Sequence, residues 1–171
     1  FRDLDWGGTN GWLFPAKLVR AAGGFNEKRR FAEDWDFFCK VGMLKPEPRL
    51  VTDKRIGCYY RQRPGSMSAN RLGMTTTRAR ILMEVHDRLR ASGRDDWFGI
   101  DLLKAEQGNY EGMIRLGVRD AALLNGMLER IFELQRRVGF GAYGWRFRWM
   151  ARCLGYARAE RLRGLVVRAL K

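Results

Sequence analysis

Three carboxylates, Glu33, Asp34 and Asp36, stand among four aromatics in the stretch RFAEDWDFFCKVG, residues 30–42. On a helix, that density of aromatics has to face a core, so at least one acid is carried against an apolar wall. Burying a charge there is costly unless the charge is paired or used. A carboxylate beside aromatic rings has its charged form disfavoured, which makes it a stronger base. Two further stretches carry residues suited to chemistry. WGGTNGWLF at 6–14 places Gly7, Gly8 and Gly11 where a backbone can approach a ligand closely. YRQRPGSMS at 60–68 offers Arg61 and Arg63, which can fork onto phosphate oxygens, and Ser66 and Ser68, which can add hydrogen bonds. Each stretch also has a plainer reading: an acid-rich first turn of a helix, an ordinary turn, and a basic surface loop.

These stretches need elements to hold them. GWLFP (11–15) reads as a short buried strand ended by Pro15. PAKLVRAAGG follows as a helix opened by that proline and stopped by Gly23 and Gly24. FAEDWDFFCKVGML (31–44) predicts a second helix with Phe31, Trp35, Phe38 and Cys39 or Gly42 on one stripe. KPEPR breaks it, LVTDKRIGCYYR (50–61) is β-rich and predicts one or two strands, and QRPGSMSANR is turn-rich. From about Thr75 the pattern turns helical. Segments 75–93, 95–117 and 120–139 each read as a helix, and the tail from 144 does so too. The boundary falls near residue 75, with a mixed α/β part over 1–75 and an all-α region over 76–171.

The chain has 171 residues, 46% of them hydrophobic, with six Trp and ten Phe, which predicts a packed core and excludes a disordered tail. No run of about 20 apolar residues exists to span a bilayer. The start, FRDLDWGG, has no basic stretch followed by an apolar one, so no signal peptide is expected. It also lacks an initiator Met, which predicts a piece of something longer. Cys39, Cys58 and Cys153 are odd in number and dispersed, which argues against a disulfide frame or zinc site and for a reducing cytoplasm. His86, the single histidine, sits beside Asp87 with no nucleophile motif near and is expected as a partly exposed helix residue.

The net charge of +14 is uneven: +5 over 1–70, zero over 71–135 and +9 over 136–171. An anionic partner is therefore expected at the tail. There Trp145, Phe147, Trp149 and Tyr156 alternate with Arg146, Arg148, Arg152 and Arg158. Such a mixture suits an anionic lipid surface. A solvated basic helix is the competing reading, and without a recognised binding module nucleic acid is not expected.

Taken together, Gly8-Thr9-Asn10-Gly11, Gly23-Gly24-Phe25-Asn26-Glu27, Glu33-Asp34-Trp35-Asp36 and Tyr60-Arg61-Gln62-Arg63-Pro64-Gly65-Ser66-Met67-Ser68 resemble, in order and spacing, the C-terminal half of the family 2 glycosyltransferases of the GT-A fold. The match covers roughly residues 7–70. The resemblance implies that Asp34 is the general base for the acceptor hydroxyl and that Gly8, Asn10, Gly11, Glu33 and Trp35 line the sugar and acceptor site. It implies that Arg61, Arg63, Ser66 and Ser68 hold the diphosphate of a nucleotide-sugar donor, with a glycan or lipid-linked acceptor. Asp36 would instead pair with Lys28, Arg29 or Arg30. Many members carry His at the place of Arg63, and arginine does not ligate a cation. Mg or Mn is the implied metal, with its ligands outside this chain, because the nucleotide-binding half would precede Phe1. Asp3-Leu4-Asp5 has the D-x-D spacing but lies too close to the glycine loop to serve as that motif. The chain alone is expected to be inactive. It would be cytoplasmic, with peripheral contact to the inner membrane face through 145–171, and exposed sheet edges would favour a homo-oligomer. The alternative is a non-catalytic helical module that binds a protein partner or an anionic membrane surface.

Overall fold

The computed structural model describes residues 12–44, 63, 65–138 and the single positions 149, 150, 153, 154, 158, 159 and 162. Its elements are α1 (Ala16–Ala21), α2 (Glu33–Leu44), α3 (Arg71–Ala91), α4 (Asp95–Arg115) and α5 (Ala121–Val138), with one turn of 3-10 helix at Met67–Ala69 leading into α3. No strand occurs among the described residues, so the α/β, GT-A-type architecture expected over 1–75 is corrected to a helical one. The expected strand at 11–15 is, over 12–15, an irregular segment. It keeps the alternation of an extended chain, with Leu13 fully exposed between half-buried Trp12 and Phe14. Among the described residues it packs against the helix α2 through its rings, and a helix has no free backbone groups to form a ladder. The strands expected over 50–61 lie outside the described residues.

Aromatic packing explains α2. Phe37 meets Phe14 edge-on at 5.3 Å and stacks on Phe25 at 4.7 Å, while Trp12 lies 5.7 Å from Phe38. Phe37, Phe38 and Val41 form a small cluster with Trp12, Phe14, Leu18 and Val19 from the segment around α1. A fully buried side chain such as Phe37 contributes about 1.5–3 kcal/mol. The single stripe expected on this helix divides in two, because Trp35, Cys39 and Met43 turn the other way and join the main core.

That main core is the bundle α3–α4–α5. Ile81, Leu82, Val85 and Leu89 from α3 meet Leu102, Leu103, Tyr110 and Met113 from α4, and Leu123, Met127, Ile131 and Leu134 from α5 close it. Within each set the steps are one, three, four or seven residues, the spacings that keep one face of a helix inward. Asn70 Oδ1 accepts the Gly73 N–H at 2.9 Å and Asp120 Oδ1 accepts the Leu123 N–H at 3.0 Å, caps that stabilise α3 and α5 by about 1 kcal/mol each. Gly93 and Gly117 stop α3 and α4 in the left-handed region, at φ 65° and 72°. From the tail, Ala159 is buried in this core and Met150 packs against it.

Cys39 sits in the same core, and burial with nearby Asp36 pushes its thiol up to about 12. The thiolate is the reactive form. Alkylation of the native protein near pH 8, followed by peptide mass mapping, is therefore expected to leave Cys39 unmodified while exposed Cys153 reacts. Prompt labelling of Cys39 would contradict this packing.

Candidate functional site

The chain enters α2 through Ala32, a buried alanine with φ 54°, a backbone strain of roughly 1 kcal/mol that its packed methyl offsets. Directly after it the three acids open the helix, where its N-terminal dipole favours negative charge. The structure sorts them. Asp36 is 4% exposed and lies between two cations: Arg29 Nε donates to its Oδ1 at 3.0 Å, and Lys40 Nζ forms an ion pair with its Oδ2 at 2.9 Å. Of the three cations expected as its partner, Arg29 is the one found. Arg29 also donates to Glu84 of α3 at 2.6 Å, so this ion-pair chain fastens α2 to the bundle.

Asp34 is different. It is half-buried, its Oδ1 accepts the N–H of Trp35 at 2.7 Å within its own turn, and among the described residues no cation pairs with it. Glu33 stands beside it, half-buried as well. Trp35 carries the Arg78 guanidinium over its ring, 5.9 Å from the centroid. At the next contact along α3, a Cβ on Gly73 would sit 2.7 Å from the Phe31 ring, so a residue without a side chain is required there. These two contacts bring the segment around α2 onto the N-terminal half of α3.

The serine turn reaches the same half of α3 from the other direction. The hydroxyls of Ser66 and Ser68 lie 3.0 Å apart just before the helix, and Arg63 is exposed ahead of them. Ser68 borders a groove of about 530 Å³ that runs between α3 and the end of α4 and is also lined by Arg71, Thr75, Arg78 and Arg115. Contacts therefore link Ser68, through the groove and Arg78, to Trp35 and its neighbour Asp34. Gly8, Asn10, Gly11 and Arg61 lie outside the described residues. Arg71, Arg78 and Arg115 were not singled out in the sequence, although arginines at i and i+7 flanking a threonine at i+4 mark one face of a helix.

Among the described residues no three His, Cys, Asp or Glu side chains converge as a metal site would need. With Asp36 already held by two cations, the acids of α2 do not fit Mg or Mn.

His86 corrects another expectation. It is 1% exposed, and its Nδ1 lies 3.0 Å from Oε1 of Glu106, itself 0% exposed, so the pair bridges α3 and α4 inside the bundle. Glu133 of α5 approaches His86 Nε2 at 3.9 Å and is itself held by Arg90 and Arg137. Burial pushes the Glu106 carboxyl above its usual range, against the opposing pull of His86.

No family model, curated protein or solved structure matches this chain.

Proposed function

We propose that this chain is the acceptor-side, catalytic-base portion of an inverting glycosyltransferase that uses a nucleotide sugar and a glycan or lipid-linked acceptor. Asp34 takes the proton of the acceptor hydroxyl as that oxygen bonds to the anomeric carbon. The bond from that carbon to the diphosphate breaks on the opposite face, its electron pair leaves with the nucleoside diphosphate, and configuration inverts. Arg63, Ser66 and Ser68, with Arg61, take the leaving diphosphate through charge-assisted hydrogen bonds. Glu33 orients the acceptor, and the Trp35 ring is an apolar platform for a sugar.

The observation that carries this reading is the division of labour among the acids. Asp36 is neutralised by Arg29 and Lys40, whereas Asp34 keeps a half-exposed carboxylate free of any described cation. A base has to reach its proton and must not be held by a counter-charge. Peripheral attachment to an anionic membrane face belongs to the same proposal, since Trp149 is 64% exposed and Leu154 and Leu162 are exposed too. No described helix is long and apolar enough to cross a membrane.

The test is nucleotide release by the longest natural form of the protein, supplied with UDP-, GDP- and dTDP-sugars and Mg or Mn. Turnover of at least one donor is expected. Neither binding nor turnover of any donor would overturn the proposal in favour of a non-catalytic interaction module.

A further inference from the structure

The groove between α3 and α4 collects more positive charge than the bundle needs. Arg71, Thr75 and Arg78 share one face of α3, Arg115 and Gly112 face them from α4, and Ser68 closes one end. Among the described residues no carboxylate lines it, and Arg115 lies 3.8 Å from Glu111, one turn earlier on α4. Elsewhere in the bundle arginines hold acids: Arg29 holds Asp36 and Glu84, Arg90 holds Glu133, and Arg130 forks onto Asp87 at 2.7 and 2.9 Å. Arg71 and Arg78 pair with no carboxylate among the described residues, and Arg78 is steadied instead by the face of Trp35. Like charges gathered around one cleft repel each other unless an anion joins them.

We infer that this groove is a binding site for a phosphate-bearing ligand, with Arg71, Arg78 and Arg115 on the phosphoryl oxygens. A carboxylate has two oxygens and is satisfied by one guanidinium fork, whereas three forks and two hydroxyl residues match the larger acceptor set of a phosphate or diphosphate. The volume of about 530 Å³ exceeds what one phosphate fills, and Met74 and Leu116 provide an apolar wall for the organic part of the ligand. Soluble phosphate esters and lipid headgroups share this chemistry. The site stands whether or not the chain transfers a sugar.

The experiment uses three probes on the full chain: inorganic pyrophosphate and glutarate by calorimetric titration, and phosphatidylcholine vesicles with and without phosphatidic acid by co-sedimentation. Arg78→Gln with Arg115→Gln is expected to weaken binding by about ten-fold per arginine removed. Gly112→Leu is the second variant. Its Cβ would meet Thr75 Cγ2 at 3.6 Å, an ordinary contact, so leucine fills the groove with all three arginines kept and with a better helix former in place. It is expected to abolish binding with the thermal midpoint unchanged or raised. Pyrophosphate binding lost in both variants establishes a site for soluble phosphates. Binding confined to phosphatidic acid vesicles, and lost in both variants, establishes a lipid phosphate site. Absence of binding to pyrophosphate and to phosphatidic acid vesicles alike, binding retained by Gly112→Leu, or glutarate binding as tightly as pyrophosphate would overturn the inference.

Discussion

Asp34→Asn is expected, under the proposed function, to lower glycosyl transfer by the longest natural form by about 10²–10⁴-fold, the usual contribution of a general base, while leaving the unfolding midpoint unmoved. The asparagine oxygen can still accept the Trp35 N–H that Asp34 takes at 2.7 Å, so the first turn of α2 keeps its cap. Asp36→Asn is expected to do the reverse. That side chain is buried between Arg29 and Lys40, and Arg29 is itself largely buried at 12% exposure, so removing the charge leaves Arg29 with Glu84 as its one remaining carboxylate among the described residues and Lys40 with none. Breaking such a pair costs about 3 kcal/mol. Urea unfolding of both variants beside nucleotide release separates the two roles. Full turnover in Asp34→Asn would remove Asp34 as the base, and equal loss of stability in both would show that the acids of α2 serve the fold alone.

The second large effect lies in the bundle. Glu106→Ala is expected to destabilise the protein by about 3 kcal/mol, because it opens a cavity and leaves His86 buried without its partner. Glu106→Gln keeps the shape and can donate to or accept from His86 Nδ1, so it is expected to fold well and to expose the pH dependence of the wild-type pair. Burial holds the Glu106 carboxyl above its unfolded value in the folded protein. The folded state therefore binds this proton more tightly than the unfolded state. That contribution is fully present below the unfolded pKa and is lost as pH rises through the raised folded one. Stability of Glu106→Gln relative to wild type should accordingly grow as pH increases from the ordinary glutamate range and then level off. A difference that stays flat with pH, measured by urea unfolding across that range, would show that Glu106 is not desolvated as described.

Several of these features follow from residue spacing. His86 falls on the stripe that runs through Leu82, Val85 and Leu89, and Glu106 falls between Leu103 and Tyr110 on the stripe of α4. Period alone places both inward, and a reading of His86 by its neighbours in sequence, with Asp87 beside it, hides this. The pairing of the two is not periodic information, since it depends on how α3 and α4 are set against each other.

Local chemistry by itself determined the helices. The segments read as helices at 75–93, 95–117 and 120–139 correspond to α3, which opens four residues earlier at Arg71, and to α4 and α5, because apolar residues at helical spacing and terminal glycines act within a few residues of one another. The same local signals placed three acids at the start of α2. Tertiary structure decided the rest. Alternation at Trp12, Leu13 and Phe14 suits a strand, but a strand exists only when another supplies its hydrogen bonds, and among the described residues the rings meet a helix. The choice of Asp36 as the neutralised acid depends on Arg29 and Lys40 reaching it from two sides, and the arginine groove requires α4 to bring Arg115 opposite Arg71 and Arg78. Charge and burial act through space, so residues far apart in the chain set them.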